Sequence, residues 1–204
     1  MLLSDSQIAS LAREQGMIEP FQPSLIRRVG AAFYGPREHE TYPVLSYGCS
    51  SYGYDLRLSS KEFLIFRHIP GTIIDPKNFN PANLESVELH KDSNGEFFIL
   101  PAHSYGLGVA VEKLQMPPNV TGLCLGKSTY ARTGLIVNAT PTEAMWRGHL
   151  TLEFSNSCGA DVRLYANEGV CQILFLQGEP CSVTYGDRAG KYQNQPESVT
   201  LPRI

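Results

Sequence analysis

The sequence has 204 residues, 42% hydrophobic and 18% charged, with a formal net charge of −3. That is enough chain for one substantial core and does not require a second domain. It argues against the broad basic surface that duplex nucleic acid needs, and no run approaches the roughly 20 apolar residues of a membrane span, so neither partner is expected.

In chain order, Ser4 with Gln7 three residues on reads as a capping box. Ile8 and Leu11 follow at helical spacing and Gly16 offers a stop, which predicts a short helix over Asp5 to Gln15. The opening MLLSDSQIASLAREQG lacks the basic region and apolar core of a signal peptide, so the expected compartment is the cytoplasm. Pro23 to Glu40 reads as loop-rich.

From Tyr42 the texture changes to short apolar runs, among them SYGYDLRLSS, EFLIF, GTIIDPKN, SVELH, EFFIL, GLGVAVEKLQM, TGLCLG, GLIVNAT, HLTLEFSN, VRLYA, VCQILFL and CSVTYG. Gly, Pro, Asn and Asp separate many of them, the pattern of a mainly antiparallel sandwich or barrel. Asn94-Gly95 signals a hairpin. In SYGYDLRLSS, Tyr52, Tyr54, Asp55 and Arg57 form either a stacking and pairing surface or a twisted edge strand with a local ion pair; the structural role is preferred. There is no internal repeat. Residues 1–186 read as one domain. The polar stretch 187–204 is too poor in apolar residues to build core and reads as a loose end or a docking arm of the same domain.

Several chemistries lack their residues. The five cysteines, Cys49, Cys124, Cys158, Cys171 and Cys181, contain no C-x-x-C pair, and free thiols in a reducing compartment are expected. The H-x-E and P-C-x-x-C pair of a zinc nucleobase deaminase is missing. The five histidines are scattered, and there is no G-x-S-x-G nucleophile turn.

The densest stretch is GKSTYARTGLIVNATPTEAMWRGHLTLEFSN. Lys127, Ser128, Thr129 and Arg132 supply two cations and two hydroxyls, which could hold a phosphate chain or simply make a polar turn between strands. The upstream glycines of a P-loop are missing. In HLTLEFSN, strand alternation puts Leu150, Leu152 and Phe154 on one face and His149, Thr151, Glu153 and Ser155 on the other. Glu153 is then either a solvated surface carboxylate or, in a partly dry pocket, a proton shuttle.

This stretch, with SYGYDLRL, YANEGVCQILFL and the tail TYGDRAGKYQNQ, resembles the dCTP deaminase family of the trimeric dUTPase-like superfamily. The resemblance implies a distorted antiparallel β-barrel close to a jelly roll with a short N-terminal helix, assembled as a homotrimer with active sites between subunits. It implies hydrolytic deamination of dCTP to dUTP and ammonia. Glu153 matches the general base and acid, and Ser128 and Arg132 match residues that position the pyrimidine and the attacking water. The substrate-binding set it implies is Lys127, Ser128, Thr129, Tyr130, Ala131 and Arg132 on one loop, Thr151, Leu152 and Glu153 on the strand along the base, then Gln172, Tyr185, Lys191 and Gln195. Magnesium would arrive on the triphosphate, with no protein metal site and no zinc. Alternatives are a bifunctional relative that carries dCTP through to dUMP and pyrophosphate, a dUTPase proper, which the tail disfavours, and a non-catalytic nucleotide-binding trimer. The connector from Thr142 to Arg147 is altered relative to a family pattern of roughly T-P-L-E-P-x-W-x-G, while Glu143 and Trp146 match; Trp146 is expected to pack, at a subunit contact.

Overall fold

The computed structural model describes residues 1–30 and 41–204. Helix α1 spans Asp5–Gln15. The Ser4 backbone N–H donates to Gln7 Oε1 at 3.0 Å, satisfying a donor at the helix start. Gly16 ends the helix at φ 66, a left-handed conformation that glycine adopts without a Cβ penalty. Ile8 and Ala12 are buried against the sheet.

The strands are β1 (Ile18–Glu19), β2 (Ile26–Gly30), β3 (Thr41–Ser50), β4 (Gly53–Phe66), β5 (Leu84–Ser86), β6 (His90–Asp92), β7 (Gly95–Leu100), β8 (Tyr105–Gln115) and β9 (Val120–Gly126). A one-turn helix α2 (Ser128–Ala131) precedes β10 (Leu135–Asn138), β11 (Arg147–Asn156), β12 (Val162–Tyr165) and β13 (Gly169–Gln177). A ten-stranded sheet runs β10-β11-β8-β4-β13-β9, with the remaining strands attached along it, and β12-β7-β6 form a three-stranded sheet. Phe63 of β4 joins the two sheets, its ring 5.3 Å from Phe98 on β7 and 5.4 Å from Phe154 on β11.

The mainly antiparallel β class with one short N-terminal helix agrees with the expectation. The expected barrel is open, because β9 and β10 are not joined by a ladder. They lie close all the same. The connector after β10 returns to β9, where Gly122 N–H donates to Thr142 O at 3.0 Å and Thr142 N–H to Gly122 O at 2.9 Å.

Other expectations need correction. Ile26–Gly30 is a strand paired with β3, where a loop was expected, and the rest of that segment, 31–40, lies outside the described residues. The segments GTIIDPKN and CSVTYG form no strand. In the second, Asp187 Oδ2 accepts both the Thr184 N–H at 2.8 Å and its hydroxyl at 2.7 Å, which folds the chain into a turn. SVELH is interrupted between β5 and β6. The Asn94-Gly95 hairpin exists with its turn one residue earlier, since Asp92 pairs with Gly95.

Nor is SYGYDLRL an edge strand. β4 pairs with β3, β5, β8 and β13. Its Arg57 donates from Nε to Glu112 Oε1 at 2.7 Å, and Glu112 is fully buried. Burial raises the Glu112 carboxyl and the Arg57 guanidinium offsets part of that rise. Asp55 and Arg57 thus have structural partners, and these are distant in sequence.

Candidate functional site

β11 alternates as its sequence requires. Leu150, Leu152 and Phe154 are buried in the core, while Thr151 and Glu153 stand half-buried on the opposite face. The strand lies between β10 and β8, which sets Glu153 opposite Asn138 on one side and Leu107 on the other. Asn138 Nδ2 donates to Glu153 Oε2 at 3.0 Å. Burial raises the Glu153 carboxyl above the ordinary carboxylate value, and the Asn138 hydrogen bond pulls it partly back.

Glu153 lines a cavity of about 590 Å³, with Thr151, Trp146 and Leu107 from the sheet side and Tyr185 and Gln195 closing it. That volume suits a nucleotide-sized ligand. Among the described lining residues there is no Lys, Arg or His.

The tail forms the outer wall. Trp146 Nε1 donates to Tyr192 O at 2.8 Å, Asn194 N–H to Arg147 O at 2.8 Å, and His149 N–H to Gln195 O at 3.0 Å. The Thr151 hydroxyl donates to Gln195 Oε1 at 3.1 Å and accepts the Thr200 N–H at 3.0 Å. Further along, Glu197 accepts from the Ser59 hydroxyl at 2.8 Å and pairs with Lys61, and Glu62 accepts the Val199 N–H at 2.6 Å. The sequence left the tail as a loose end or an arm; it is an arm docked on its own chain. Trp146, expected at a subunit contact, is buried beneath that arm at 4% exposure.

Lys127 belongs to a second cluster. Its ammonium pairs with Asp55 and donates to the Ser46 hydroxyl at 2.9 Å. Gln172 Nε2 completes the group, donating to Asp55 Oδ1 at 3.0 Å and Ser50 Oγ at 3.2 Å. This knot fixes the start of α2. The end of the turn is fixed by Tyr130, whose ring is buried and whose hydroxyl accepts the Tyr165 N–H at 2.9 Å. Ser128, Thr129, Ala131 and Arg132 are left exposed between these anchors, with Arg132 Nη1 on Ser128 O at 3.0 Å.

The sequence-derived set therefore divides. Thr151, Glu153, Tyr185 and Gln195 meet in one cavity. Lys127 to Arg132 lie beyond the far end of β10, roughly 10 Å along the strand from Glu153 at about 3.3 Å per residue. Gln172 sits with Asp55. The side chains of Leu152 and Tyr130 are buried in the core. Lys191 is exposed, and its carbonyl accepts from Arg203 at 3.1 Å. Sequence reasoning missed Asn138, Leu107 and Thr200. Asn138 follows the alternation Ile136, Asn138, but only the β10–β11 register shows that it faces Glu153.

The altered connector has its own signature. Thr142 Oγ1 is buried and has no hydrogen-bond partner among the described residues. It lies against β9, 2.4 Å from where a Cβ on Gly122 would be. Thr142→Val keeps the shape and removes a hydroxyl that burial penalises, so it should raise stability by about 1 kcal/mol and Tm by roughly 2–4 °C. Thermal unfolding checks this; an unchanged or lower Tm would show that the hydroxyl is satisfied in solution.

Comparison with known proteins gives a consistent picture. The family model described as dCTP deaminase-like matches residues 2–178. A protein named dCTP deaminase from Campylobacter curvus is 46% identical over 204 residues, covering 100% of this chain and 98% of its own. One of the same name from Azotobacter vinelandii is 48% identical over 201 residues, covering 98% of this chain and 97% of its own. Among solved structures, the 2'-deoxycytidine 5'-triphosphate deaminase of Agrobacterium tumefaciens has a similar fold, with a TM-score of 0.52 at 15% identity, over 87% of this chain and 48% of that one.

Proposed function

The chain belongs to the dCTP deaminase-like family of enzymes, and we propose that it hydrolyses dCTP to dUTP and ammonia with Glu153 as general base and then general acid. The observation that carries this reading is a half-buried carboxylate on a cavity wall, raised by burial toward neutral pH. Such a group can take a proton at one step and return it at the next.

In the proposed course Glu153 takes a proton from water, and the hydroxide adds to C4 of the cytosine ring. The carboxylic acid returns that proton to the ring nitrogen beside C4. Glu153 then takes the proton of the new C4 hydroxyl and passes it to the amino group, so that the tetrahedral carbon expels ammonia and C4 becomes a carbonyl. Ser128 and Arg132 are proposed as oriented donors at the reacting centre. Lys127, Thr129 and the backbone of the α2 turn hold phosphates, with Gln172, Tyr185, Lys191 and Gln195 as further nucleotide contacts. The docked tail excludes bulk water from the cavity.

We place the complete site between copies of the chain, as a homotrimer. Three observations support this. The Glu153 cavity has no cation among its described lining residues, although a triphosphate needs several. The α2 turn presents Arg132 outward. Beside that turn Leu123, Leu125 and Ile136 are 39%, 51% and 58% exposed, an apolar strip that a second copy would cover. Magnesium is proposed to arrive on the triphosphate. Among the described residues no three His, Cys, Asp or Glu side chains are grouped to hold a metal, and none of the described helices is long and apolar enough to cross a membrane.

The experiment is a product assay on chelator-treated, size-fractionated protein with dCTP and magnesium. Ammonia and dUTP should appear together, in fractions heavier than one chain. Ammonia with dUMP and pyrophosphate would make the enzyme bifunctional. Conversion of dUTP to dUMP without ammonia would overturn the role of Glu153, and full activity at the mass of one chain would overturn the shared site.

A further inference from the structure

We propose that Asn138 is a positioning residue for Glu153: its side-chain amide occupies Oε2 and thereby makes Oε1 the oxygen that carries the catalytic proton. The inference rests on the reading of Glu153 as base and acid. A carboxylate only accepts, so the amide must present its Nδ2 to Glu153, and the observed bond is Nδ2 to Oε2 at 3.0 Å. The two residues are direct cross-strand partners, so the backbone ladder sets their separation. Oε1 takes no hydrogen bond from a described residue and is left for the cavity that Glu153 lines.

The bond survives both states of the acid. When Glu153 is ionised, Nδ2 donates to a carboxylate oxygen. When a proton sits on Oε1, Oε2 is the carbonyl oxygen and still accepts. A proton on Oε2 would end that donation and require the amide to turn over and present its Oδ1 instead. Asn138 therefore fixes which oxygen works, at every step of the cycle, and cannot titrate itself. It also favours the charged form, against the desolvation that opposes it.

The other groups around Glu153 do not duplicate this role. On β11 its face-mates Thr151 and Ser155 do not titrate near neutrality, and His149 turns its Nδ1 to Ala110 O at 3.1 Å. β8 offers the Tyr105 phenol, which burial and then the Glu153 charge push up. The connector brings Glu143, and the segment closing the cavity brings the phenols of Tyr185 and Tyr192 and the neutral Gln195. On β10, beside Asn138, the outward side chain is Ile136, which is apolar.

The test is the pH dependence of kcat/KM for dCTP in Asn138→Leu and Asn138→Asp, with thermal unfolding as a folding control. Asn138→Leu should lower kcat roughly tenfold and move the acidic limb up by about one pH unit, a tenfold change in proton affinity. Asn138→Asp keeps the shape and sets a second carboxylate against Glu153, so its limb should move further in the same direction. A rate lowered equally at all pH values with an unmoved limb in both variants would mean a purely structural role and would overturn the proposal. A parallel Glu153→Gln assay separates the two ideas. If that variant keeps turnover, the reading of Glu153 fails; if it is dead while both Asn138 variants keep the parental profile, only the Asn138 inference fails.

Discussion

Glu153→Gln should bind dCTP with near-parental affinity and lose turnover by roughly two to four orders of magnitude, the usual worth of a positioned general base and acid. The substitution is nearly isosteric. It can still accept from Asn138 Nδ2, so the local geometry at 3.0 Å should persist. What it removes is the proton acceptor. Folding should not suffer. Burial holds the Glu153 carboxyl above its ordinary value, so the folded state binds that proton more tightly than the unfolded chain does. Such a group stabilises the fold below the ordinary carboxylate value, and that contribution is lost as pH rises through the raised one. At neutral pH the neutral glutamine should therefore leave stability unchanged or higher. Calorimetric binding of dCTP, ammonia release and thermal unfolding on one preparation test all three points. Turnover within tenfold of the parent would remove Glu153 from the chemistry, and a lost fold would show that the carboxylate is structural.

The second large effect is expected at a residue without a side chain. In Gly148→Ala the new Cβ would stand 2.5 Å from the Gln195 backbone nitrogen, and Gly148 has φ 138, where a side chain is strained. The backbone there cannot yield without losing the His149 N–H bond to Gln195 O. The tail should lift off while β11 and Glu153 stay in place. A misplacement of about 1 Å at a closing element costs on the order of 100-fold in rate, and that is the loss expected here. Limited trypsin digestion provides a second readout, since Arg188 and Lys191 are exposed on the arm and a lifted arm should be cut faster. Parental protection with parental turnover would mean that the arm is not the lid of this site.

Much of this arrangement was legible in the sequence because it is local. Ser4, Gln7 and Gly16 write α1 in eleven residues of chain. Period-two alternation in HLTLEFSN identifies which face carries Glu153. What could not be read is long-range pairing. Asp55 meets Lys127 across 72 positions and Arg57 meets Glu112 across 55. No local pattern distinguishes those partners from the nearer choice of Asp55 with Arg57. The same limit hid Asn138, whose importance depends wholly on the register of β10 against β11. CSVTYG misled for a related reason. Its β-branched and aromatic residues suit a strand, but Asp187 captures Thr184 first and bends the chain away.

The docked arm is gripped by its main chain as much as by its side chains, since Gln193, Gln195 and Glu197 also bond to the body of the protein. The Tyr192 and Gln195 carbonyls and the Asn194, Val199 and Thr200 N–H groups all take partners on the body of the protein. Main-chain contacts read the path of a peptide and not its side chains. Relatives can therefore vary the arm where only its main chain is held, as at Val199 and Thr200, but not at Gln193, Gln195 and Glu197, and the groove that receives it is constrained at Gly148. Divergence along the arm should therefore be uneven, and the record of what it must fit should be kept both in its gripping side chains and in the strand beneath.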